Sequence, residues 1–523
     1  MIASIPEGPF FIPAYQPEYG GVDFLGLRQV NLDMMSSCLP GINNVTVYVR
    51  AFSLLSWIHW KFHALVASAG RQRPSTEQMR QFRERVEILF TWGHVQNEIG
   101  GIPGTTSKPP RSKGAVPLTF ASWKRNQDNT SLMAAVQYGP ASKTLGGLGF
   151  LERVDGEFYR TCGPGVALAR ALDELISASP AAHLLTLTRQ EGSAEDAAEL
   201  FSAWSVLEPT DEERAAFAKA FFDEGAPDDT EIGRRSGTLA LVLRALSASD
   251  HPLQEQEIRK AITYARLDDG TALDVPDILI AARLRWFVLQ LRQTQRFAME
   301  NLFAWLEYKL ILQGERDSEP LVQTIVGALT TMLATEVATL PVSEVSRSMI
   351  PQFDDLEEFC ERSVGDDETC LFAAVERIVD AGEAQDDAIA AEAFRALFLC
   401  ARVTDLLESM ATLRPVLRLG GPDRISLAHF RNIVARCGPM PLEAFVRFCL
   451  EGLILSQHFA VAGSRFDGGT QRLRVTIEET GLTPLVDRPW RPVVSADRLR
   501  AALALAADCG LIGRDTEGAF VPS

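Results

Sequence analysis

The sequence predicts a mainly α-helical, multi-domain protein with two small winged-helix-like modules. Three observations carry that expectation. Residues 277–312 and 386–413 repeat apolar side chains at helical spacing with few breakers. Ser75-Thr-Glu-Gln78 and Thr210-Asp-Glu-Glu213 are capping boxes that open helices. A helix–hairpin grammar occurs twice, near residue 150 and at the C-terminal end.

Length sets the domain count. A chain of 523 residues, at roughly 100–200 residues per domain, holds three or four. Hydrophobic residues are 46% and charged residues 23%, which excludes a mainly disordered chain. The segments expected are 1–112 (arm and helical domain), 113–180 (first winged module), 181–420 (central helical domain) and 421–523 (C-terminal helical and winged domain).

The first 45 residues are rich in Pro, Gly and Asn and read as an irregular arm. Residues 51–69 are apolar around most of a helix and should be buried. The helix opened by Ser75 should run to about Glu98, where the Gly100-Gly-Ile-Pro-Gly104 stretch breaks it. Tyr138-Gly-Pro-Ala-Ser-Lys143 suggests a short helix. Residues 150–153 and 157–160 alternate like strands around Val154-Asp-Gly156, a hairpin signal. Residues 166–176 form the closing helix. The C-terminal copy has a helix from Ser495 to Cys509, then strands on either side of Asp515-Thr-Glu-Gly518. Between the copies, 441–462 is helical and 472–478 alternates as a strand.

The net charge is −17. Residues 101–170 nevertheless carry nine Lys and Arg against four Asp and Glu. This short basic stretch is the region suited to phosphate contacts. Lys108, Arg111, Lys113, Lys124 and Arg125 form a run beside Phe120 and Trp123. Lys143 falls in the short helix read as the recognition helix, and Arg153 and Arg160 flank the wing. In winged helices those places meet a groove and the backbone phosphates. The competing reading is a module used only for protein contacts. The acidic remainder should face solvent or partner subunits.

Other constellations favour structural roles. His59 and His63, and likewise His94 and Glu98, stand four residues apart, as metal ligands on helix faces would. Position 60 is Trp rather than the Glu of a zincin, and the surrounding aromatics suit packed histidines. Gly101-Ile-Pro-Gly-Thr-Thr-Ser-Lys108 lacks the Gly-Lys-Ser/Thr helix entry of a phosphate loop and reads as a packed turn. Asp354-Asp-Leu-Glu-Glu358 with Asp366-Asp-Glu368 reads as a solvated helix start. The eight cysteines form no C-x-x-C pair. No metal and no cofactor is expected. No apolar run approaches the roughly 20 residues of a membrane span, and the N-terminal residues lack a basic signal-peptide region. A reducing cytoplasm is the expected compartment.

Val22-Asp-Phe-Leu-Gly-Leu-Arg28, Leu39-Pro-Gly-Ile-Asn-Asn-Val-Thr46 and Arg50-Ala-Phe-Ser-Leu-Leu-Ser-Trp57 add a further clue. With Gly101-Ile-Pro-Gly104 and the strand near 473–477, this pattern resembles uncharacterised bacterial proteins that sit beside restriction and phage-defence genes. The resemblance covers mainly the first 110 residues and, loosely, the last 90. It implies a component of a multi-gene system acting on foreign DNA and supplies no catalytic residues. The expected function is a non-catalytic scaffold or adaptor subunit contacting DNA and partner proteins. The alternatives are a metal-dependent nuclease-like enzyme and a transcriptional regulator.

Overall fold

The computed structural model describes residues 18–19, 23–70, 75–107, 110, 114–156, 158–384, 386–465 and 470–523. Helices dominate, and the described strands pair only as two-stranded ribbons. The mainly α expectation therefore holds. The chain divides into two compact units, each made of two stretches. One joins Asp33–Leu289 to Ser495–Ser523, and the other joins Gln290–Val494 to the described residues before 33. The four sequential segments expected from length do not anticipate this interleaving.

The unit containing 33–289 is organised around the helix Val49–Ser68, whose first ten residues are all buried. Phe52 on this helix meets Tyr138, Phe150 and Phe217 with ring centroids 5.1–5.6 Å apart. Each aromatic buries a large area, so such a cluster is a main source of this unit's stability. The helix Thr76–Gln96 starts where Ser75 accepts a hydrogen bond from the Gln78 amide, 3.1 Å. It ends two residues before Glu98, which takes φ of +58°. Thr210 and Glu213 close the anticipated capping box on Asp211–Phe221. Ser193 and Asp196 close a second one on Ala194–Trp204.

Both hairpins form. Strands Leu151–Asp155 and Phe158–Thr161 pair antiparallel with Leu151 opposite Thr161 and Arg153 opposite Tyr159. The register shifts between Arg153 and Asp155. Ile512–Arg514 pairs with Phe520–Pro522, and Leu253 extends that ribbon through two backbone bonds with Phe520 of 2.9 and 3.0 Å. Asp515 orders the turn by accepting from the Glu517 and Ala519 amides. The helix before it is Leu499–Asp508, four residues shorter at its start than the expected Ser495.

The other unit buries charge. Residues 290–308 of the helix Asp277–Tyr308 present Arg292, Arg296, Glu300 and Glu307 to the interior. Arg292 donates to the carbonyls of Ile425 (2.6 Å) and Arg424 (2.7 Å). Glu307 takes two bonds from Arg474 and one from the Trp490 amide. Buried charges persist only when paired in this way. The strand read at 472–478 is Val475–Glu478, and it pairs with Gly481–Pro484.

Two corrections concern helices. The region read as an irregular arm contains the helix Arg28–Cys38, with Val30, Met34, Met35 and Cys38 buried. Asn, Asp and Ser between those positions mask the apolar stripe because they favour turns in isolation. The stretch Leu442–Ser464 is continuous for 23 residues and apolar enough by length and composition to cross a bilayer, contrary to the sequence reading. Half of its most apolar window is buried inside the protein, as a core helix would be. Its middle, Cys449–Leu455, is π-helical.

Candidate partner and nucleic-acid contact surface

The first hairpin is fastened at its base. Thr161 donates its hydroxyl to the Ser56 carbonyl at 2.8 Å. His63 Nε2 lies 3.0 Å from the Tyr159 carbonyl. Both anchors reach the buried helix Val49–Ser68. Behind the hairpin, the helix Pro164–Ala178 begins at Gly163, with φ of +49°. Gly165 sits so close to Phe150 that a Cβ would lie 2.6 Å from its carbonyl oxygen. Trp57 Nε1 and Lys61 Nζ both reach Asp173 Oδ1 at 2.8 Å, tying this closing helix down. Tyr138 is wholly buried, and its hydroxyl accepts from the Val47 and Tyr48 amides at 3.1 and 3.2 Å. Burial pushes this phenol well above its ordinary range.

The hairpin tip is open. Val154 is 61% exposed, and Leu145, in the loop leading into the hairpin, is 89% exposed. Arg153 is exposed and donates to the Gly156 carbonyl across the turn, 2.9 Å. Arg160 is exposed and pairs with Glu152 across the strands. Lys143 holds its ammonium 5.3 Å from the Tyr159 ring centroid.

The basic residues thus divide. Lys124, Arg153 and Arg160 are exposed on this unit. Lys143 does not lie within a groove-length helix: Tyr138–Ser142 has five residues, and Lys143 follows it in extended backbone. The hairpin and the following helix form, but the helix that should enter a groove is barely more than one turn, so these elements do not amount to the expected winged-helix module. Arg125 is a correction. Its side chain is 1% exposed. The guanidinium donates to Thr91 Oγ1 and the carbonyls of Pro103 and Thr130, and stacks 4.4 Å from the Phe120 centroid. It fills the space left by Gly104, where a Cβ would lie 2.4 Å from it. Phe120 and Trp123 are buried as well, and Trp123 packs on Trp92. They are therefore core residues and not stacking platforms for bases. Lys108, Arg111 and Lys113 lie outside the described residues.

The Gly101–Gly104 loop packs as a turn. Tyr48 donates its hydroxyl to the Gly100 carbonyl, 3.2 Å, and Thr91 donates to the Pro103 carbonyl, 3.3 Å. The four-residue histidine pairs do not assemble. His94 uses Nδ1 on the Phe90 carbonyl (2.7 Å) and accepts at Nε2 from the Val206 amide (3.0 Å). Glu98 is exposed. His59 is fully buried, and neither ring nitrogen has a hydrogen-bond partner among the described residues. Burial, reinforced by Arg83, lowers its pKa to about 3. No group of three or more His, Cys, Asp or Glu able to hold a metal occurs among the described residues. The acid cluster at 354–358 serves as a helix start, with Asp355 accepting from the Glu358 amide and Glu358 from the Asp354 amide.

Sequence reasoning missed two things here. The burial of Arg125 was signalled only by Gly104, twenty-one positions away. The anchoring role of His63 depends on a carbonyl and so leaves no side-chain motif. No family model matches the chain, and neither a curated protein nor a solved structure matches it.

Proposed function

We propose that this protein is a non-catalytic adaptor subunit of a bacterial multi-protein complex, in the anti-phage setting that the N-terminal resemblance implies. The hairpin 151–161 is its contacting element, a wing rather than a groove-reading helix. The observation that supports this reading most directly is the contrast between the hairpin's fastened base and its exposed outer part, where Arg153 and Val154 stand near the tip and Arg160 stands nearer the base. Solvated arginines on a fastened ribbon, Arg153 on one face and Arg160 on the other, suit phosphate contacts, which position a protein on DNA without reading its sequence. The exposed Arg160–Glu152 pair does not oppose this, because such surface pairs contribute only about 0–1 kcal/mol and exchange readily for a phosphate. Val154 and Leu145 add apolar area of the kind a protein partner covers.

The test is fluorescence anisotropy of a labelled DNA duplex titrated with the full chain at two salt concentrations. The wild type should bind with salt-sensitive affinity. Arg153→Glu combined with Arg160→Glu should weaken binding about tenfold and flatten the salt dependence by about two charges. Duplex binding indifferent to those substitutions would remove the hairpin from the DNA contact. Operator-specific binding that survives moderate salt would instead favour a transcriptional regulator.

A further inference from the structure

A second surface, independent of the hairpin, lies in the unit containing 290–494. An open cleft of about 460 Å³ is lined by Arg347, Arg402 and Arg431, with Ile350 and Val434 among the apolar residues of its wall. Its size lies within the range of small-molecule sites, about 300–1,000 Å³. Asp405 is the one carboxylate lining it. Asp405 accepts from Arg431 Nε at 2.8 Å and stands 3.7 Å from Arg402 Nη1. Arg402 is further fixed by Gln352 Oε1 (3.1 Å) and the Phe353 carbonyl (3.3 Å). Arg347 uses only its Nε, on the Ser343 carbonyl at 2.9 Å, and makes no ion pair among the described residues.

Three guanidinium groups against one carboxylate leave two uncompensated positive charges in the cleft. The surroundings have the opposite sign. Residues 310–410 carry 21 acidic and six basic side chains. The opposite wall is drawn from residues 431–438, which hold Arg431 and Arg436 and no carboxylate. A net positive cleft in so acidic a segment attracts an anion that the rest of this surface repels. Guanidinium forks match the oxygen geometry of phosphate, and two of these three are already held in place by Asp405 and Gln352.

We propose that this cleft binds a small phosphomonoester, with the phosphate between Arg347 and Arg431 and an apolar body against Ile350 and Val434. Asp405 orients the two paired arginines and does not touch the ligand.

Isothermal titration of the full chain with phenyl phosphate and, separately, with inorganic phosphate tests this. Phenyl phosphate should bind saturably and more tightly than inorganic phosphate. Arg347→Gln should weaken both by about tenfold, the loss of one charge-assisted contact. Arg347 is exposed and not part of a buried network, so this variant should fold normally, as circular dichroism would verify. No saturable binding of either anion up to about 10 mM overturns the site. Unchanged affinity in Arg347→Gln overturns it as well. Equal affinity for the two anions overturns the apolar half of the assignment. None of these outcomes bears on duplex binding at the hairpin.

Discussion

Asp508 Oδ2 accepts a 2.6 Å hydrogen bond from the backbone amide of Val49, the first residue of the helix Val49–Ser68. Tyr48, at the N-cap position, makes no side-chain cap of its own. The cap is supplied instead from 459 residues away, by the end of the helix Leu499–Asp508. The carboxylate also sits where the helix dipole favours negative charge.

Removing that cap should be measurable. Asp508→Ala should lower stability by about 1–2 kcal/mol, the usual effect of losing a helix cap. The midpoint of urea unfolding reads it. Asp508→Asn, which keeps an acceptor, should recover much of the loss. Equal midpoints for wild type and Asp508→Ala would show that water replaces the carboxylate.

Acid should erode what His59 and His94 contribute to stability. The His59 pKa falls from about 6.5 to about 3, and that of His94 to about 4, both because burial disfavours the charged ring. Each folded-state value lies below the unfolded one, so only the unfolded chain takes up these protons between about pH 6.5 and the folded value. The histidines' contribution to stability therefore falls across that window as pH falls. Asp508 works in the opposite direction, because burial raises its pKa from 3.8 to about 6 and the folded state holds that proton more tightly. Glu87, whose pKa burial also raises, acts in the same direction as Asp508, so substitution at His59 is what isolates the histidine contribution. His59→Phe should recover about 2 kcal/mol of the loss between pH 6.5 and pH 5. Urea midpoints at pH 5, 6 and 7 measure this, and parallel profiles for the two proteins would refute it.

Gly165→Ala should loosen the hairpin from its closing helix. The new methyl group would meet the Phe150 carbonyl oxygen at 2.6 Å and the Phe150 Cα at 2.9 Å. Backbone atoms cannot swing aside, so a loss of about 1–3 kcal/mol is expected. Faster amide exchange at Leu151 and Thr161 would report the same strain, and unaltered exchange with unaltered stability would contradict it.

Arg125→Ala should unfold the protein more easily without a direct effect on DNA contact. It strips a buried guanidinium from the Glu87 carboxylate 4.0 Å away and leaves the Pro103 and Thr130 carbonyls without that donor. Breaking such a buried pair costs about 3–5 kcal/mol. Thermal melting reads the loss. A variant of wild-type stability that binds duplex poorly would return Arg125 to the contact surface.

Much of the helical architecture was legible because it is local. Ser75, Thr210 and the Val154-Asp-Gly156 turn act within a few residues, and their elements appear where the sequence places them. The helix Arg28–Cys38 was hidden because its short polar residues favour turns until tertiary burial overrides them. Gly481–Pro484 was hidden because its pairing with Val475–Glu478, rather than an apolar alternation, defines it. At the candidate site, charge pattern located Lys124, Arg153 and Arg160 on the surface. It could not separate them from Arg125, since a cation that solvates and a cation that fills a glycine's vacancy look alike in one dimension. The Arg347, Arg402 and Arg431 cleft escaped for a related reason: its members are spread over 85 positions, within and beside the most acidic stretch of the chain.

The distant origin of the Val49 cap bears on the order in which the polypeptide matures. Residues 33–289 leave the ribosome long before Asp508 does, so until then the start of the central helix that carries Phe52 is without this cap. The ribbon lengthened by Leu253 also waits for Phe520. Until Phe520 is made, the ribbon edge beside Leu253 is unpaired, the kind of open edge through which incomplete chains associate.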